Sequence, residues 1–221
     1  MIQYNKLLKN SLLFGIGSIG SRAITFLLLP VFTRFLSTEE YGVIDVIVTT
    51  ILLLVPILSL QAQEISFRYS MDKKRDQRIT LVNSLFLCIG GFIVLLAVRH
   101  VVNSESFFQH MNIFSLVILF AMFDAVLKQF VRGIGKIKIF VASDILYSLT
   151  FSICIVIFVV LKKWGVQGYL LSLLFAYMSS VFLLLFVGKA IAYLQIQHLT
   201  FPAMEEMLKY SIPLIPTAIM W

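Results

Sequence analysis

The stretch "GIGSIGSR", residues 15–22, spells Gly-x-Gly-x-x-Gly, and Glu39 and Glu40 follow about twenty residues on, as in a dinucleotide-binding turn. Such a turn needs a strand immediately before its glycines, so that the pyrophosphate reaches the N-terminus of the next helix. Here the preceding residues, "YNKLLKNSLLF" (4–14), form a helix entry instead. The two glutamates belong to "STEEYG" (37–42), where Ser37 and Glu40 stand at capping-box spacing and announce another helix. Gly15, Gly17, Ser18, Gly20 and Ser21 therefore form a small-residue helix face, suited to close backbone packing or to lining a cavity.

Composition extends this from one helix to the whole chain. Of the 221 residues 60% are hydrophobic and 13% charged, with a mean hydropathy of +0.96, whereas soluble domains carry about 25% charged residues. A soluble core cannot absorb that excess. Apolar runs at 10–32, 42–63, 79–98, 113–131, 139–161 and 166–188 have the roughly 20 residues needed to cross hydrocarbon, and none alternates with the period of a membrane barrel strand. The fold class expected is an all-α integral membrane protein with six transmembrane helices and the start of a seventh in "MLKYSIPLIPTAIMW" (207–221). Residues 1–188 make the six-helix lobe, 189–206 a connector suited to lying on the membrane surface, and 207–221 the incomplete helix.

Basic residues set the orientation. With the N-terminus inside, thirteen lie in inside segments, among them Lys73, Lys74, Arg75 and Arg78, against Arg34, Arg99, Lys162 and Lys163 outside. This bias predicts a cytoplasmic N-terminus. The net charge of +7 is then a matter of topology and anionic membrane lipid, and nucleic acid is not an expected partner. The first apolar run is too long for a signal peptide. Cys88 and Cys154 fall within spans as structural thiols, and His100, His110 and His198 have no partner at ligand spacing, so neither metal nor cofactor is expected. No nucleophile elbow, P-loop or paired-carboxylate loop is present, and the chain does not read as an enzyme.

The informative residues are charges inside spans, where each costs about 2.5–3.5 kcal/mol and faces a partner or a wet cavity. Arg22 shares a helix side with Ser18 and lies close to Thr25; it either binds a carboxylate or carbonyl on a neighbouring helix or receives an anionic substrate. Asp124 and Lys128 stand one turn apart and can pair, as can Glu64 and Arg68 at the inner end of the second span; both pairs are candidate cavity or coupling charges. Asp45 and Asp144 are expected to be end-of-helix groups.

The run "NSLLFGIGSIGSRAITFLLLPVFTRFLSTEEYGVIDVIVT" (10–49) resembles the opening of the Wzx-type polysaccharide repeat-unit flippases of the MOP transporter superfamily, and "QAQEISFRYS", "VRGIGKIKIFVASDIL" and "MLKYSIPLIPTAIMW" resemble later pieces of the same family. The resemblance implies two lobes of six helices around a cationic cavity. They move an undecaprenyl-pyrophosphate-linked oligosaccharide across the bacterial cytoplasmic membrane, with Arg22 matching the family's first-helix arginine. On that pattern the chain stops within helix seven, and the expectation is a truncated product of a longer gene; the other option is a half-size protein pairing with a second copy or a second polypeptide. Glycosyltransferases or a polymerase of the same pathway are further partners it suggests. Two other functions stay open: a non-transporting scaffold subunit of a polysaccharide synthesis complex, and a drug or cation exporter of a related branch.

Overall fold

The computed structural model describes Phe26 and residues 28–72, 74–102 and 111–219; among them every regular element is a helix. In chain order these are α1 (Leu29–Phe35), α2 (Thr38–Leu58), α3 (Ala62–Met71), α4 (Gln77–Val102), α5 (Met111–Gly133), α6 (Ile137–Ile155) and α7 (Gly165–Phe186). A π-helical turn, Val156–Leu161, prolongs α6. Short 3-10 turns at Ala190–Tyr193 and Ile196–His198 lead to α8 (Phe201–Ser211), and a further one at Ile212–Leu214 leads to α9 (Ile215–Ile219).

Five of these helices are long and apolar enough to span a bilayer: Thr38–Leu58, Gln77–His100, Met111–Gly133, Ile137–Leu161 and Gly165–Phe186. They correspond to the second to sixth expected spans. The first, 10–32, lies almost wholly outside the described residues. Side-chain distribution agrees with a lipid surround. Leu52, Ile93, Ile153 and Phe182 are exposed on the outer faces while Asp124, Ser143, Ser172 and Ser180 are buried inside, an arrangement that water would penalise and hydrocarbon favours. The chain is an all-α integral membrane protein.

The entry to α2 follows from its sequence. Ser37 Oγ accepts from the Glu40 backbone N–H at 3.1 Å and the Glu40 carboxylate accepts from the Ser37 N–H at 2.9 Å, completing the capping box. The Glu40 side chain also fills the space where a Cβ on Gly165 would stand, and Gly165 has φ +50°, so a side chain there would meet both a clash and strain. The two helix entries are thereby held together at one end of the bundle.

The exit from α2 departs from expectation. The helix ends at Leu58, five residues short of the expected boundary, and Leu60 and Gln61 both adopt left-handed backbone conformations (φ 50° and 58°) before α3 begins. Pro56 weakens this last turn by removing the donor that would satisfy the Leu52 carbonyl. Glu64 and Arg68 therefore belong to a separate helix, α3, and not to the inner end of the second span.

Packing centres on α5 and α7. The inward face of α5 is Val117, Ile118, Met122, Val126, Leu127 and Phe130, all fully buried, and it meets α3, α4, α6 and α7. Because lipid tails are as apolar as leucine, burying these side chains gains little transfer energy; close approach and polar contacts hold such helices together. Close approach is visible at Gly91, where a Cβ would collide with the Leu58 carbonyl, and at Ser66, whose hydroxyl donates to the Val126 carbonyl at 3.2 Å.

Candidate functional site

Among the described residues, the ion pairs within and between spans meet at one place. Lys128 on α5 extends its ammonium between two carboxylates, Asp124 at 2.8 Å one turn back on its own helix and Asp144 on α6 at 2.9 Å. Ser180 on α7 donates its hydroxyl to the second oxygen of Asp124 at 2.5 Å. The Lys128 ammonium also sits 5.2 Å from the centre of the Tyr147 ring, and Tyr147 packs on Tyr177 with centroids 4.9 Å apart. Behind them Phe151, Tyr169 and Phe32 continue the ring contacts, so that α1, α6 and α7 are joined by an aromatic row ending at the charges.

Magnitudes show how closely the opposing contributions balance. At an effective dielectric of about 20, an ion pair near 2.8 Å is worth about 6 kcal/mol, while withdrawing each ion from water costs several kcal/mol. One pair roughly breaks even. A lysine shared by two carboxylates gains a second attraction, set against a third ion's desolvation and the repulsion between the carboxylates, and the Ser180 hydroxyl and Tyr147 ring add to the favourable side. Fully ionised, the cluster carries one net negative charge.

Asp144 is the residue that sequence reasoning misplaced. It lies about two turns inside α6, in the charge cluster, and does not act as an end-of-helix group. A signal was available in the hairpin: Lys128 and Asp144 stand eight residues either side of Lys136, which lies in the tight turn between α5 and α6. Residues equidistant from such a turn share a depth in the membrane. Ser180, Tyr147 and Tyr177 carried no comparable signal.

The expected Asp124–Lys128 pair is present; the Glu64–Arg68 pair is not. Arg68 places its guanidinium 4.2 Å from the centre of the Tyr210 ring on α8, leaving Glu64 exposed without an ion pair among the described residues. Next to it Arg75 lies 4.0 Å from the Tyr69 ring and grips Glu206 of α8 with two hydrogen bonds, at 2.5 and 3.2 Å. These bonds hold the Glu206 carboxyl below the usual carboxylate range and push Arg75 further up. Arg78 donates to Gln195, and Lys136 donates to the Gly188 carbonyl at 2.8 Å. The segment after α7 is thus fastened across the basic end of the bundle, with a cavity of about 140 Å³ beneath it lined by Tyr69, Arg75, Ile79 and Met207. A single helix, α8, runs across the 206/207 boundary read from sequence.

Arg22, Ser18 and Thr25, the proposed contacts for an anionic headgroup, lie outside the described residues.

A polytopic helical membrane protein with a charge cluster buried between its spans belongs among proteins that work within the bilayer. Residues 7–221 match the family described as polysaccharide biosynthesis protein, and the chain belongs to that family. No individual curated protein and no solved structure matches it. The family places the chain in polysaccharide biosynthesis as a multi-pass membrane protein.

Proposed function

We propose that the chain is one lobe of a Wzx-type flippase of the MOP superfamily, carrying an undecaprenyl-pyrophosphate-linked oligosaccharide from the inner to the outer leaflet of the bacterial cytoplasmic membrane. The observation that carries this reading is membership of a polysaccharide biosynthesis family over 7–221 in a chain built of membrane-spanning helices. The buried ions between those spans support it, since a protein that only anchors partners has no need to bury charge in hydrocarbon. The basic end is cytoplasmic in this assignment, and the fastened segment after α7 lies at the inner leaflet. Arg22, with Ser18 and Thr25, receives the pyrophosphate, for which a guanidinium offers a planar fork. A second six-helix lobe or a second copy closes the cavity, and membrane lipids and the glycosyltransferases or polymerase of the pathway are its neighbours.

The test is deletion of the gene with measurement of where the lipid-linked repeat unit accumulates. The expected result is accumulation in the inner leaflet and loss of surface polysaccharide, with restoration by the intact gene and weaker restoration by Arg22→Ala. Normal export after deletion overturns the transport function. Reduced synthesis of the lipid-linked unit, with normal translocation of what is made, assigns the chain to a scaffold instead.

A further inference from the structure

We infer that Asp124, Lys128 and Asp144 form a proton-binding site, in which one proton is shared by the two carboxyl groups. The geometry carries this by charge count. One ammonium contacts both carboxylates, at 2.8 and 2.9 Å, and one positive charge can neutralise only one of them. The side chains are 5%, 16% and 22% exposed for Asp124, Lys128 and Asp144, so the surplus negative charge has little water to spread into. A buried charge without a counter-charge is the costliest state open to such a set, and proton uptake removes it.

Among the described residues the surroundings offer no other neutraliser for Asp124. The charges acting on it are Lys128 and Asp144. From α6 it is faced by Tyr147 and from α7 by Tyr177 and Ser180, all of them neutral. The two carboxyls are also unequal. Asp124 is the inner one, held by the Ser180 hydroxyl, and Asp144 the outer, more exposed one. Because the proton belongs to the pair, Lys128 bonds whichever carboxylate is ionised. Loss of the proton leaves net charge between α5 and α6 and loosens their contact. In the transport function proposed above, on which this last point rests, that gives the lobe a proton-dependent joint between two of its spans.

The experiment is infrared difference spectroscopy of the purified full chain in liposomes, following the carbonyl stretch of protonated carboxylic acids and its shift in heavy water. At neutral pH the wild-type chain shows one such carboxyl from this site. Asp124→Asn and Asp144→Asn, each isosteric and each leaving a matched pair, abolish it, and Lys128→Met raises it to two. A wild-type chain without the band, or a band that survives in both asparagine variants, overturns the site. Either asparagine variant alone suffices should the other fail to insert. The spectrum needs no transport, so a chain dispensable for export overturns the proposed function and leaves the proton site standing, whereas a missing band does the reverse.

Discussion

Two regions of the molecule use the same chemistry at the same distances. In the cluster between α5, α6 and α7, Lys128 meets its carboxylates at 2.8 and 2.9 Å; at the basic end, Arg75 meets Glu206 at 2.5 and 3.2 Å. Both cations also sit over a tyrosine ring. What differs is the medium. The cluster's side chains are 5–22% exposed and lie among membrane-spanning helices, while Arg75 and Glu206 are 36% and 55% exposed. In the first region the ions have no acceptable alternative to one another; in the second, water stands ready to replace either partner. Bond length says nothing about this. The cluster fixes helices against each other, and the exposed clasp holds a segment that can let go.

The largest effect expected is from removing the cluster's cation. Lys128→Met takes the cation from two buried carboxyl groups, which must then both take up a proton, and should destabilise the chain by about 3–5 kcal/mol, as losing one partner of a buried pair does. The unfolding midpoint in detergent measures it. Adding Asp124→Asn and Asp144→Asn to Lys128→Met should recover much of the loss, because the penalty comes from acids left without their cation, and amides need neither a cation nor a proton. Equal midpoints for the single and triple variants would show that the region behaves like the exposed clasp. Next in size is Ser180→Ala, which takes from Asp124 its 2.5 Å hydrogen bond. A hydrogen bond to a charged group is worth about 1.5–3 kcal/mol, and the same melting experiment should show a loss in that range, together with weaker anchoring of α7.

That contrast also explains which parts of the structure could be read in the sequence. The second to sixth spans were legible because hydrocarbon imposes length and polarity on every residue, and the start of α2 was legible because Ser37 and Glu40 bond within one turn. Asp124 and Lys128 were legible as i, i+4 neighbours on one helix. The end of α2 was not, since Leu60 and Gln61 take left-handed conformations that glycine or asparagine would announce and leucine does not. Glu64 and Arg68 obeyed the same spacing as Asp124 and Lys128, yet Arg68 is drawn away by Tyr210, more than a hundred residues distant in sequence. In water an i, i+4 pair is worth only a few tenths of a kcal/mol, so a stacked tyrosine outcompetes it. In the membrane the alternative to pairing is so costly that the local partner is kept. Spacing rules are thus most trustworthy where solvent is absent, and Ser180 and Tyr177 escaped them because they come from another helix.

The smallest effect is the one that separates the regions most cleanly. Arg75→Gln should leave the unfolding midpoint where it is, because water replaces the lost bonds, but amide exchange in α8 should quicken as Glu206 loses its hold. Acid should do the same to the unmodified chain. The Glu206 carboxyl is held below its ordinary range by Arg75, so its contribution is complete above the ordinary carboxylate pKa of about 4.3 and disappears as pH falls through the lower folded value. Glu205 is lowered by Lys209 in the same direction, but that pair lies within α8 and survives Arg75→Gln. Protection of α8 in the variant should therefore start lower and fall less on acidification. Salt completes the separation: raising it from about 0.1 to 1 M shortens the screening length from about 10 to 3 Å, which should speed exchange in α8 and leave the contacts of Lys128 untouched. If salt loosened α6 from α5 as well, water and ions would have to reach Lys128, and the cluster would be lining an open aqueous path instead of the dry interior of the bundle.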